Sequence, residues 1–288
     1  MRRVVVPALV LLLLAASCGG GKKETSLANL GASASPGAAS AKPGSTGAAP
    51  AAKAGAKGGT TSAASKAGSS AKAGGPAPKT VAGGYTPPKD GDYVYRLDGE
   101  ATNPFNPAAP PQKFSNQTLT KKVSHSGNVI TTDQTSSTSS GKTTQRVRWE
   151  PTRLLLLYVN AETPQGDFSC TFNPPLLLAH FPVHPETIPT QPFKGQGSAC
   201  NGKLDITIER REPAKDTTGK SWDAWRVHVR TETTAGQFTQ DSDDRRWVSP
   251  ALGEEIRTQG TFTYKISGAG GSQTGHGSQT SVLKSYPK

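Results

Sequence analysis

From Gly19 to Pro88 the chain offers almost nothing from which a core could be built. The stretch is mostly Ala, Gly, Ser, Lys, Thr and Pro, it holds no aromatic residue before Tyr85, and Leu27 and Leu30 are nearly its only large aliphatics. So little apolar surface cannot offset the entropy of ordering a chain, so residues 18–88 read as a disordered tether behind Cys18. Repeats such as Ala-Lys-Ala-Gly have no fixed period, which excludes a solenoid. Folding is thereby confined to residues 89–288, a normal size for one β domain.

The same division organises the charge. The formal net charge is +12. Arg2 and Arg3 supply +2, and eight lysines (22, 23, 42, 53, 57, 66, 72 and 79) against Glu24 give +7 between 19 and 88. That leaves 12 − 2 − 7, or +3, for residues 89–288. The basic balance therefore belongs largely to the tether and does not indicate a nucleic-acid-binding domain. The scattered lysines either keep the linker soluble and extended or meet anionic headgroups and wall polyanions.

Ahead of the tether stand Arg2-Arg3, an apolar run from Val4 to Ala16, and Ser17-Cys18. A charged n-region and a short apolar h-region make an export signal, because spanning a bilayer takes roughly 20 apolar residues as helix. Leu14-Ala-Ala-Ser-Cys18 resembles the bacterial lipoprotein lipobox, with Ala15 at the position where the family most often has Leu. The resemblance implies cleavage after Ser17, so that 1–17 is a lipoprotein signal peptide, and diacylglycerol on the Cys18 sulfur. Stable anchoring then comes from buried acyl chain, at about 0.8 kcal/mol per methylene. An ordinary secretory signal, leaving Cys18 free, is the other reading. A Gly/Ser-type tether of this length has a root-mean-square span of roughly 40–50 Å, enough to carry the domain into a cell wall.

Beyond Cys18 only Cys170 and Cys200 remain. An even pair in an exported chain points to a disulfide, with two buried free thiols as the alternative.

In the folded part, period-2 alternation predominates. Tyr93, Tyr95 and Leu97 fall on one face of Asp92–Leu97, opposite Val94 and Arg96. After a Pro/Asn loop from Asn103 to Gln112 come strand-like stretches at Phe114–Val123, Asn128–Ser137, Thr143–Trp149, Leu154–Val159 and Phe168–Phe172. Leu154–Val159, apolar on both faces, reads as a central strand covered on both sides. From Asn173 to Cys200 six prolines interrupt the pattern, and Leu176–His180 is the one short helical candidate. Strands resume at Leu204–Ile208, Trp222–Thr231, Gln237–Asp241, Arg245–Val248, Glu254–Arg257, Thr261–Ile266 and Gln279–Leu283. About a dozen short strands with hardly any helical period predict a mainly β, single antiparallel domain, a curved half-barrel, barrel or sandwich.

Trp247-Val-Ser-Pro-Ala-Leu-Gly253, continued by Glu254-Glu-Ile-Arg257, places a strand ending in an aromatic before a Pro-x-x-Gly turn and a returning strand. With Gly91-Asp-Tyr-Val-Tyr-Arg96, this resembles the strand pairs of half-barrel envelope lipoproteins of the LolA/LppX kind. The resemblance implies a concave sheet that cradles an acyl chain or another apolar ligand. The long covering helices of those carriers have no counterpart here, which argues against a deep lipid cavity.

His180-Phe-Pro-Val-His184 has the histidine spacing of a zinc protease, but Pro182 and Pro185 forbid the helix that motif needs and its Glu is missing. Thr218-Gly-Lys-Ser221 resembles the end of a phosphate loop without the upstream glycine, since Ala214 stands there. Ser281-Val-Leu-Lys284 has the Ser-x-x-Lys spacing without its partner motifs. Asp241-Ser-Asp-Asp244 clusters carboxylates that could hold Ca²⁺, or that Arg245 and Arg246 neutralise in a polar turn. Tyr93, Tyr95, Trp149, Trp222, Trp225 and Trp247 either pack a core or line a sugar- or lipid-binding face.

No catalytic, cofactor or metal site is expected from these patterns. The chain reads as a membrane-anchored extracytoplasmic binding or structural module. Its expected partners are the membrane through the lipid anchor and an envelope polymer, lipid or protein, with no nucleic acid. An envelope hydrolase is the alternative, and a nucleophile hydrogen-bonded to a base in a deep polar pocket would favour it.

Overall fold

The structure is a computed structural model. It describes residues 79–288 except 82, 138, 164–165, 196–199, 236–237 and 269–270, so the expected leader, Cys18 and the expected tether up to residue 78 lie outside the described residues.

Twelve strands follow one another: β1 (Gly91–Ala101), β2 (Gln112–Ser126), β3 (Val129–Ser136), β4 (Ser139–Trp149), β5 (Arg153–Thr163), β6 (Gly166–His180), β7 (Glu186–Lys194), β8 (Cys200–Lys215), β9 (Ser221–Ala235), β10 (Phe238–Ser249), β11 (Glu254–Gly268) and β12 (Gly271–Ser285). They form one antiparallel sheet in the order β6-β5-β4-β3-β2-β1-β12-β11-β10-β9-β8-β7. The chain's first and last strands pair in its middle, from Val94↔Ser285 to Ala101↔Gly277. The two edges, β6 and β7, come round to face each other, so the sheet is a nearly closed barrel.

Alternation builds the lumen. Tyr93, Tyr95 and Leu97 on β1, Leu119 and Val123 on β2, and Leu204, Ile206 and Ile208 on β8 are all buried. Burying one such side chain contributes roughly 1.5–3 kcal/mol. Curvature has its own device. Four glycines sit directly opposite an aromatic on the neighbouring strand: Gly99 and Phe114, Gly202 and Phe193, Gly277 and Phe262, Gly275 and Tyr264. In each pair the ring lies where a Cβ would be, so the ring covers the bare backbone and the sheet can bend there.

The Pro-rich stretch is not a helix. Leu176–His180 ends β6, with Leu176 opposite Leu156 and Ala179 opposite Leu154. Three consecutive leucines satisfy a buried strand as well as a helix, and the prolines around them are tolerated because β6 and β7 are edges with one side free of a ladder. Leu154–Val159 lies in β5, next to an edge, with Leu155, Leu156 and Val159 buried and Leu154 and Tyr158 half-buried. From Phe238 to Val248 the two expected stretches are one strand, β10, and those from Glu254 to Ile266 are also one, β11.

Trp247 to Gly253 is the turn that the sequence indicates. Gly253 donates its N–H to the Ser249 carbonyl at 2.8 Å. Its φ of +64° and the close approach of Thr86 leave room only for glycine.

Candidate functional site

Cys170 and Cys200 form a disulfide with an S–S distance of 2.07 Å, from β6 to the first residue of β8. It holds one end of the gap between the sheet's edges. Cys18 lies outside the described residues.

The other sequence candidates do not converge. His180 ends β6 and donates through Nδ1 to the Glu186 carboxylate at 2.8 Å, while the His184 ring nitrogen donates to the Pro182 carbonyl at 2.9 Å. No group of three or more metal-ligating side chains occurs among the described residues. Thr218–Lys220 is the β8–β9 turn, where Asp216 Oδ1 accepts from both the N–H and the hydroxyl of Thr218 and from the Lys220 N–H. Ser281 is buried within β12. Asp241 to Asp244 is mid-strand and not a polar turn, so its carboxylates alternate between faces. Asp243 lies outside with His228 and Arg230, at 2.7 and 2.8 Å, and Asp244 lies inside with Arg246 at 3.1 Å.

Five of the six aromatics are core. Tyr93, Tyr95, Trp149, Trp222 and Trp225 are buried, and half-buried Trp247 donates its indole N–H to Glu212 at 2.7 Å. Trp149 and Trp225 also border a cavity of about 190 Å³ in the lumen.

One end of this cavity is shut by the segment that enters the barrel. Tyr85 is buried, its ring 5.7 Å from Trp149 and 5.4 Å from Phe181, and Thr86 donates its N–H to the Pro250 carbonyl at 2.8 Å. Tyr85 and Pro88 both border the cavity. Burial, with the nearby charges of Glu254 and Glu255, holds the Tyr85 phenol well above its ordinary pKa, so it stays neutral.

A buried ion network borders the same space. Lys121 Nζ lies 2.7 Å from Glu255 and 3.6 Å from Glu254; Arg246 reaches Glu255 at 3.3 Å and Asp244 at 3.1 Å. Tyr95 donates its hydroxyl to Glu254 at 3.1 Å. Burial alone would raise the Glu255 pKa, but Lys121 and Arg246 outweigh it and bring it down to about 2. Asp244 goes the other way: burial raises its pKa and Arg246 only partly offsets that. For Lys121, burial pulls down and Glu255 and Glu254 pull up harder.

Only part of this network is legible in the sequence. Lys121 shares its parity with Leu119 and Val123, and Asp244 and Arg246 share theirs with Val248, so alternation points all three inward. Glu255 shows no such signal. The pairing Trp247↔Arg257 is followed by Val248↔Glu255, leaving Ile256 as an extra residue on β11, and this bulge aims Glu255 at the lumen.

Comparison with known proteins found no family model, no curated protein and no solved structure that matches this chain.

Proposed function

We propose that this chain is a lipid-anchored lipoprotein of the bacterial envelope that binds a ligand and performs no catalysis. In this reading the leader directs export, Cys18 carries the lipid at the outer face of the membrane, and the residues between Cys18 and Val81 tether a barrel whose lumen takes an apolar or lipid-like ligand. The lumen cavity is the observation that supports the binding half. It is bordered largely by aliphatic and aromatic side chains, the composition that small-molecule sites share. Among its described lining residues, the carboxylates Glu254 and Glu255 are engaged by Tyr95 and Lys121, which favours binding over an envelope hydrolase.

The test uses the full chain in a bacterial host. The wild type should fractionate with membranes, its mature N-terminal peptide beginning at Cys18 with the added mass of a diacylglyceryl group. Cys18→Ser should release it from them. Retention of Met1, or a soluble wild type with a free Cys18 thiol, would sink the anchor. Mass spectrometry of organic extracts of the purified wild type tests the ligand half, and copurified acyl species would support it.

A further inference from the structure

The lumen wall formed by β3 and β4 differs from the wall it faces. Asp133, Lys142 and Thr144 occupy the outer face of that pair, where Thr144 donates to Asp133 at 2.6 Å and Lys142 lies 2.9 Å from it. Alternation therefore turns Thr132, Gln134, Thr143 and Gln145 inward, and all four border the cavity. They form two cross-strand pairs, Thr132↔Gln145 and Gln134↔Thr143, presenting neutral donors and acceptors side by side. Across the lumen stand Ile206, Ile208, Val227 and Val229, which are purely aliphatic.

Size and charge narrow the occupant further. A cavity of roughly 150 Å³ lined by aliphatic and aromatic groups holds one benzene. At about 190 Å³ this lumen takes little more than one ring and its substituents, far less than a two-chain lipid. The four charged residues at its border offer no spare charge. Lys121 and Arg246 are already met by Glu254, Glu255 and Asp244. An anion entering there would approach Glu254 and Glu255, and a cation would lose its hydration without a free carboxylate to replace it.

We propose that the lumen binds a small uncharged amphiphile, about one ring in size, with hydroxyl or amide groups along one edge. Its hydrogen-bonding edge lies on Gln134, Gln145, Thr132 and Thr143, and its apolar side on the aliphatic wall of β8 and β9. This deepens the binding reading above and rests on it. All four polar wall residues are half-buried, so solvent reaches this side of the cavity while Tyr85 closes one end. A ligand placed this way keeps its polar edge toward the wetter wall.

The test uses the full chain carrying Cys18→Ser, so that no detergent competes for the lumen. Four probes share one ring: cyclohexanemethanol, cyclohexanecarboxamide, methylcyclohexane and cyclohexanecarboxylate. Binding is read by ligand-observed NMR and by the emission of the tryptophans, two of which border the cavity. The alcohol and the amide should bind about tenfold or more tighter than methylcyclohexane, as one or two extra hydrogen bonds allow, and the carboxylate weakest. In Gln134→Leu/Gln145→Leu the amide should lose about tenfold and methylcyclohexane should gain. Ile208→Trp, which fills the lumen, should block every probe; if it does not fold, the double-leucine variant decides alone.

A hydrocarbon that binds as well as the amide, a carboxylate that binds as tightly, or a double variant with unchanged preferences would overturn the proposal. So would the failure of all four probes. Where the probes fail but a long-chain lipid is extracted from the wild type, this inference falls and the binding reading stands. Where neither binds, both fall.

Discussion

The barrel meets itself in two ways. β1 and β12, as far apart in sequence as two strands of this sheet can be, pair through eight consecutive residues of β1 in a ladder with one register shift, between Val94 and Tyr95. β6 and β7, consecutive in the chain, are the sheet's two edges. A short connection would ordinarily make them a hairpin, but Pro174 and Pro175 in β6 and Pro189 and Pro192 in β7 remove N–H donors from both. Side chains do what the backbone does not. Gln191 spans the gap with its amide, its Oε1 accepting the Leu177 N–H at 2.7 Å and its Nε2 donating to the Leu177 carbonyl at 2.8 Å. The Cys170–Cys200 bond and the edge-to-face pair Phe172–Phe193 hold one end, and His180–Glu186 the other. A ladder distributes closure over many equivalent bonds, whereas this seam concentrates it in a few named residues. Substitutions should therefore act locally at the seam and globally near the ladder.

The largest effect is expected on the ladder side, where Lys121 of β2 reaches Glu255 of β11 inside the β1–β12 junction. Glu255→Gln leaves Lys121 and Arg246 buried without their shared partner and should cost about 3–5 kcal/mol of unfolding free energy, measured in urea. The sign with pH follows from the lowered pKa. Glu255 stabilises the fold fully above its ordinary value of 4.5 and loses that contribution as pH falls toward about 2. The gap between wild type and variant should close across that window. Asp244, with its raised pKa, opposes the trend, because its ionised form costs stability that acid relieves. A gap that stays constant from about pH 6 to pH 3 would show that folding leaves the Glu255 pKa unshifted, so that Lys121 and Arg246 do not hold it down.

Next comes the disulfide. Cys170→Ala/Cys200→Ala releases a loop of 30 residues in the unfolded chain, for which the chain-entropy relation gives about 3.5 kcal/mol. The loss should come with faster amide exchange in β6 and β7 and little change in β1 and β12. Equal acceleration in all four strands would mean that the seam and the ladder open as one unit, which removes the contrast between them.

How far these two regions could be read from the sequence differs for the same reason. Alternation made β1 and most other strands legible, because Tyr93, Tyr95 and Leu97 repeat at the period of the pleat. Cysteine parity made the seam's covalent bond legible. β7 was hidden because Ile188 and Phe193 are its only buried large side chains, its prolines imitate a loop, and a bulge between Ile188 and Gln191 breaks its period. The lumen's polar wall was legible in parity but not in meaning, since Thr132, Gln134, Thr143 and Gln145 look the same from sequence whether they face water or a cavity. The bulge that aims Glu255 inward depends on pairing between strands, and one strand's pattern cannot express it.

A smaller effect is expected at Gln191. Gln191→Ala leaves the partly buried Leu177 N–H and carbonyl without partners, at about 1–3 kcal/mol in total because water can reach them in part. If the cost is paid by local opening, the Leu177 amide should exchange about tenfold faster while amides of the β1–β12 ladder keep their rates. Gln191→Glu sharpens the comparison, because a carboxylate still accepts from the Leu177 N–H but repels its carbonyl, so only part of the protection should return.

The smallest effect belongs to the seam's outer latch. Glu186 accepts from the His180 ring at 2.8 Å and from its backbone N–H at 3.4 Å, and the His180 side chain is 47% exposed. Solvent screens such a pair, so Glu186→Ala should cost no more than about 1 kcal/mol and raise exchange only at the last residues of β6. The ratio of this loss to that of Gln191→Ala tells where the seam is held. If Gln191 dominates, the edges are pinned midway and free to splay beyond His180, beside the Phe181 ring that packs on Tyr85 and thus near the closed end of the cavity. If the two losses are equal, the seam is pinned along its length, and a ligand has to reach the lumen past the half-buried wall of β3 and β4 instead.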